Sequence, residues 1–250
     1  MCCFSREVRS VSATRIFARH LFETRQALIY SMTIDAPTEV AMILPIPVAA
    51  GAKENAVNFA NLHAYAGIFD DMEACFPVPK SKFDAQPGGA PALGGTLSVV
   101  DVGSFRASFV PTVKDFARLD SQFRLPDDVW SKIGQYDHFG FAVFQLKKGA
   151  ATIHPMAFDF PTAMPDRLFF PTVHIHDGKV HPKAHFDHML YCQPARLSGG
   201  AIHDWQESPS LATSHVKVKL TKGLVSGGQH VYRRRMAGEL PNSDVLLAVV

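Results

Sequence analysis

The sequence predicts a single α+β domain, mainly antiparallel β-sheet with two or three helices packed on one side. Three observations carry this. Short runs rich in β-branched and aromatic residues, bounded by Gly, Pro, Asn and Asp, recur along most of the chain. Two stretches switch to helical spacing of their apolar residues. Hydrophobic residues make up 47% of the 250 and charged residues 19%, a balance that supports a sizeable core and opposes long disordered regions. One domain over residues 1–250 is therefore expected.

The elements follow in order. Residues 26–34 and 39–44 read as strands joined by the turn Asp35-Ala36-Pro37-Thr38. Pro45-Ile46-Pro47-Val48 is expected to end the second strand, because proline cannot continue a central ladder. From Lys53 to Cys75 the spacing is helical, with Val57, Leu62, Tyr65 and Ile68 on a rough apolar face. Residues 77–95, rich in Pro, Gly and Ala, read as a flexible inserted loop. Strands resume at 96–102 and 105–110. Thr112 can cap a helix over 113–123, and a further helical turn is expected over 127–133 around Trp130. Strands are then expected at 138–147, 151–160, 168–176 and 179–192. Residues 193–212 read as a loop and 214–221 as an alternating, half-exposed strand. Residues 228–250 read as a tail whose apolar end, Val245-Leu246-Leu247-Ala248-Val249-Val250, could support a homo-oligomer.

The formal net charge is +2, so nothing global points to nucleic acid or to an anionic membrane. Arg233-Arg234-Arg235 is the one sharp basic run, too short to claim a nucleic-acid site and expected to be solvated. No apolar stretch is long enough to span a bilayer, and the first residues lack the apolar core of a signal peptide, so the chain reads as cytoplasmic. Four cysteines in a chain of this kind do not suggest a disulfide framework, which leaves reactive or metal-binding thiols.

The most constraining segment is Val173-His174-Ile175-His176-Asp177-Gly178-Lys179-Val180-His181-Pro182, followed by Lys183-Ala184-His185-Phe186-Asp187-His188. It holds five of the twelve histidines. Asp177-Gly178 suits the two-residue loop of a type I′ hairpin. That register sets His174 opposite His181, and alternation puts His174, His176 and His181 on one face. Three imidazoles on a rigid ribbon are credible ligands for one transition-metal ion, with copper favoured over zinc. Asp187 is a candidate for orienting a ligating imidazole by hydrogen bonding, and His185 and His188 are neighbours behind Pro182. Cys2 or Cys3 could add a thiolate, although adjacent residues on an extended chain point opposite ways.

Three functional readings result. The leading one is a metal-dependent enzyme acting on a small molecule, oxidising it with copper or, less favoured, hydrolysing it with zinc. The second is a metal-binding or interaction module without turnover. The third is an N-terminal-nucleophile amidohydrolase using Cys2 with its own α-amine as base. No Gly-x-Gly-x-x-Gly, P-loop, Gly-x-Ser-x-Gly or Cys-x-x-Cys motif is present, so nucleotide binding and serine hydrolysis have no support.

Several stretches also resemble an uncharacterised family of bacterial domains. They are Cys2-Cys3-Phe4, Met42-Ile43-Leu44-Pro45-Ile46-Pro47, Phe139 through Lys147, and His154-Pro155-Met156 through Phe169-Phe170-Pro171. The family is marked by a cysteine-rich N-terminus and a strand ending in Leu-Pro-x-Pro. The resemblance implies an architecture over roughly residues 2–190 and no activity.

Overall fold

The structure is a computed structural model that describes residues 2–22, 24–77, 100–102, 105–125, 127–130, 133–177, 179–194 and 204–249. The loop expected at 77–95 and most of the strand expected at 96–102 lie outside these residues. In chain order the strands are β1 (Cys2–Phe4), β2 (Ser10–Leu21), β3 (Arg25–Ala36), β4 (Val40–Ile46) and β5 (Asn58–Asn61), then helix α1 (Ile68–Ala74). Next come β6 (Val100–Val102), β7 (Phe105–Val110), helix α2 (Asp127–Trp130), β8 (Gly140–Leu146), β9 (Gly149–Thr152), β10 (Met156–Pro161), β11 (Arg167–Phe170) and β12 (His174–Ile175). β13 (Lys183–Gln193), β14 (Gln206–Leu211), β15 (His230–Pro241) and β16 (Val245–Ala248) complete the described chain.

The strands form a six-stranded sheet in the order β12-β1-β4-β8-β7-β6 and an eight-stranded sheet in the order β14-β15-β13-β2-β3-β10-β5, to which β9 adds by pairing with β3. β11 and β16 make a separate two-stranded sheet. Pairing is antiparallel except between β1 and β12 and between β2 and β13. The α+β expectation is therefore corrected to a mainly β sandwich. Among the described residues the α-helices are seven and four residues long, and the stretch read as a helix over 113–123 is two short 3₁₀ segments.

Alternation builds the layers. On β4, Val40, Met42, Leu44 and Ile46 point into a core shared with Leu28, Tyr30, Met32 and Ile34 of β3 and Met156, Phe158 and Phe160 of β10. Phe144 of β8 meets Phe158 across this core with ring centroids 5.8 Å apart. The opposite faces are apolar as well. Ala41, Ile43, Phe141 and Val143 pack under residues 113–136, including Phe116, Val129 and Tyr136. Phe17, Ala27, Ile29 and Tyr191 pack under α1 and residues 212–225. The central strands of each sheet are thus covered on both faces, and β4 is buried at all seven positions, whereas β14 and much of β15 at the edge of the larger sheet are partly exposed.

Several boundaries differ from expectation for identifiable reasons. β2 has no counterpart in the sequence reading because Arg15 and Arg19 interrupt its apolar pattern; both lie on the outer face with Phe17, where Arg15 covers the Phe69 ring at 5.3 Å. β4 continues through Pro45, opposite Phe141, at a point where β1 has already ended on its other side. The stretch 214–221 is not a strand but falls into 3₁₀ turns at Ala212–Ser214 and Val218–Thr221. The expected tail is a strand of the eight-stranded sheet, β15, followed by β16, where Leu247 and Val249 join the shared core. The apolar C-terminal end is thereby used inside the fold. Cys3, Cys75 and Cys192 are buried in three different apolar clusters. No helix among the described residues is long and apolar enough to cross a membrane.

Gln26 of β3 ties the two-stranded sheet to the eight-stranded one. Its buried amide donates to the Phe169 carbonyl at 2.7 Å and accepts from the Phe169 N–H at 3.0 Å. Gln26→Leu keeps the volume but leaves both backbone groups unpaired, and is expected to cost about 2–4 kcal/mol in urea unfolding. A loss below about 0.5 kcal/mol would show that water or a rearranged strand satisfies Phe169 instead.

Candidate functional site

The histidine segment does not form the expected hairpin. β12 pairs with β1 in parallel, Cys2 opposite His174 and Cys3 opposite Ile175. The other partner of His174 is a side chain: its N–H donates to Asn242 Oδ1 at 2.7 Å, and its carbonyl accepts from Asn242 Nδ2 at 2.9 Å. The same Asn242 amide donates to the His181 carbonyl at 2.9 Å. Asp244 extends the clasp by accepting from the N–H groups of Thr172 and Val173 at 2.8 and 3.0 Å. A side-chain amide on the turn after β15 thus occupies the place that a hairpin partner would have taken. Asp177 instead folds its carboxylate onto its own loop, accepting from the Lys179 N–H at 3.0 Å.

This arrangement redistributes the candidate residues. His174 and His176 stack at 4.8 Å, but His181 is exposed and lies 3.0 Å from Asp177 through Nε2. The third imidazole beside His174 is His188 of β13, with the two Nε2 atoms 3.0 Å apart. Phe186 packs on His174 at 4.5 Å and Phe4 on His176 at 5.5 Å, so the three rings are walled by aromatics. His185 is exposed, opposite Glu239 on β15. Asp187 accepts from the Ala13 N–H at 2.5 Å, supporting a bulge in β2 where Ala13 has φ +51°. Its other oxygen stands 3.6 Å from His188 Nδ1, beyond hydrogen-bond reach. Cys3 points into the cluster on the outer face of the six-stranded sheet, whereas Phe4, the next residue, lies in the shared core beside His176. Sequence spacing names His188 only as a neighbour behind Pro182; its place beside His174 comes from the tertiary approach of β13 to β12.

The cluster is built for neutral imidazoles. Burial, then the neighbouring rings, push His174 down to about 2 and His176 down to about 4. Burial also lowers His188, partly offset by Asp187. The His174–His188 hydrogen bond needs one ring nitrogen to accept, which a doubly protonated pair cannot provide. Asp187 is held below the usual carboxylate range by His188 and by the backbone N–H groups of Ala13 and Thr14.

The ligand set expected on the hairpin is therefore not assembled, and among the described residues no group of three or more His, Cys, Asp and Glu is arranged to hold a metal ion. No family model matches the sequence. The fold is similar over its whole length to that of baculovirus P35, at 13% identity, covering 100% of both chains, with a TM-score of 0.52. A crystal structure of a mutated baculovirus P35 after caspase cleavage matches at 10% identity over 96% of this chain and 100% of that one, with a TM-score of 0.51. P35 in a caspase-8/P35 complex matches at 10% identity over 95% of this chain and 96% of that one, with a TM-score of 0.49. At these identities the likeness is one of fold. The reading as a copper- or zinc-dependent enzyme is corrected on both grounds, the ligand geometry and the shared fold.

Linkage gives the cluster a definite pH signature. Unfolded histidines titrate near 6.5, above all three folded values, so the unfolded chain binds more protons as the pH falls below that point. Stability from the cluster is fully present above about pH 6.5 and declines below it, by up to about 1.4 kcal/mol per pH unit for each histidine. His176→Phe should preserve the stack, since His176 Nε2 is buried without a partner, and should remove about one histidine's share of the slope between pH 6 and 5. Urea midpoints across this range test it; an unchanged slope in the variant would mean that His176 is already protonated in the folded state.

Proposed function

We propose that the chain is a non-catalytic protein-binding module whose partner is a cysteine protease of the caspase class. The supporting observation is the fold shared along the whole chain with baculovirus P35, a protein also solved in mutated form after caspase cleavage. The correspondence covers the chain from end to end, so the likeness is not confined to one common substructure.

The chain's own sequence is compatible with the chemistry of such a partner. A caspase-class protease cuts after aspartate. Residues 78–99, which follow α1 and precede β6, contain one acidic residue, Asp84, within Lys82-Phe83-Asp84-Ala85-Gln86-Pro87-Gly88. Asp84 is the aspartate that such a cleft would read in this stretch. The sandwich, with its central strands covered on both faces, supplies a stiff frame for a protein-binding module.

The test is incubation of the full chain with a panel of caspase-class proteases, read by intact mass and by co-elution. Cleavage at Asp84-Ala85, with or without a retained complex, is the expected result. Asp84→Ala should lower cleavage by at least about 100-fold, because a pocket built around a carboxylate is left unpaired, and should leave the urea midpoint unchanged. Neither cleavage nor binding with any member of the panel would overturn the reading.

A further inference from the structure

The net charge of +2 hides a segregation of charge along the chain. Residues 208–238 hold Lys217, Lys219, Lys222 and Arg233-Arg234-Arg235 and no Asp or Glu. Some of these cations are used inside the fold: Lys217 stands 3.7 Å from Asp71, and Arg233 meets Glu73. Lys219 and Lys222 are different. Both are exposed, on the 3₁₀ turn Val218–Thr221 and the residue after it, and neither has a carboxylate partner among the described residues. Leu220 lies between them in the sequence and is 42% exposed.

This turn meets a second one. The Arg19 guanidinium of β2 donates to the Gly223 carbonyl at 3.4 Å, and three residues further on, β2 has given way to the turn into β3 at Phe22. Phe22 is 89% exposed, the most open large apolar side chain among the described residues. Glu23, next to it in the sequence, is the one acid between β2 and β3. The unpaired cations of this end therefore come from the Lys219–Lys222 turn.

The backbone singles out the same two turns. Among the described residues, three that are not glycine have positive φ: Ala13, Phe22 and Lys222. Ala13 is held by Asp187, which accepts from its N–H. Phe22 at +58° and Lys222 at +55° fall in the two turns joined by Arg19. An L side chain is disfavoured in this region, and glycine fits it at lower cost. The chain thus keeps a ring and an ammonium at exposed positions where the backbone favours glycine, so neither serves the stability of the fold.

We infer that the Phe22 turn and the Lys219–Lys222 turn together form a peripheral docking surface for an anionic phospholipid bilayer. Phe22 and Leu220 enter the boundary between headgroups and acyl chains, and Lys219 and Lys222 meet the phosphates. A nucleic-acid strand or an acidic protein would also attract the lysines. An exposed leucine beside them, and a ring standing in solvent rather than in a groove, favour the bilayer: they offer no stacking platform and gain by leaving water. This contact is independent of a protease partner.

The full chain is sedimented with vesicles of phosphatidylcholine alone and of phosphatidylcholine and phosphatidylserine in equal parts. Binding is expected to the mixed vesicles only, and falls as salt is raised. Lys219→Gln and Lys222→Gly should each lower the partition coefficient about fivefold, the effect of one cation near an anionic surface. Phe22→Gly should lower it about tenfold. Both glycine variants should keep or raise the urea midpoint, because glycine relieves the positive φ, so their weaker binding cannot come from unfolding. No binding to the mixed vesicles, or binding unchanged in Phe22→Gly and in both lysine variants, would overturn the surface. Tighter binding to polyglutamate or to a single-stranded oligonucleotide than to the vesicles would overturn it too. So would loss of vesicle binding to inorganic phosphate at constant ionic strength, which marks a site for a free anion.

Discussion

The rest of the structure depends on one constraint: the central strands of both sheets are covered on both faces. The shared core fills the space between them, and the outer faces are covered by residues 113–136 on one side and by α1 with 212–225 on the other. Water reaches few of the backbone groups inside such layers, so nearly every N–H and C=O must find a partner within the protein. Strands supply most of these partners. Where a strand ends, something else must.

Amide and carboxylate side chains fill that role at several strand ends. Gln26 pairs both backbone groups of Phe169, and Gln193 does the same for Ser226, donating at 2.7 Å and accepting at 2.8 Å. Asn242 stands in for a strand beside His174, and Asp187 caps the bulge in β2. The histidine cluster follows from the same logic. Once the backbone of His174 is committed to β1 on one side and Asn242 on the other, its ring faces Phe186 and His188. Three imidazoles in an aromatic enclosure are then kept neutral by burial.

The covered eight-stranded sheet also gives α1 its place. Ile68, Phe69 and Met72 are buried against it, and the cations that pin the helix come from β2, β15 and the 212–225 layer, elements separated by more than two hundred residues in the chain from first to last. A helix too short to persist alone is thus held by the sheet beneath it and by these cations. Residues 78–99, which hold Asp84, follow this helix in the sequence.

The sequence determined the parts set by local pattern. β3, β4, β8, β10 and β13 all fall within or close to the strands read from apolar runs, and the preference for antiparallel pairing came from the same turn-bounded spacing. Local pattern failed where both faces of a strand are apolar or where a charged residue is covered by a tertiary partner. β2 was hidden by Arg15 and Arg19, and the ring and carboxylate that Arg15 meets lie more than fifty residues away; β15 was hidden by an arginine run that reads as solvated. The histidine segment shows the division most clearly. Alternation placed His174 and His176 together from spacing alone. Whether a hairpin closed over them was decided by Asn242, and the ring that joins them, His188, arrives on β13 because that strand pairs with β2 and β15. Period-two geometry is a property of a few neighbouring residues and can be read from them, whereas the competition for one backbone edge is settled by whichever distant group reaches it in the folded chain.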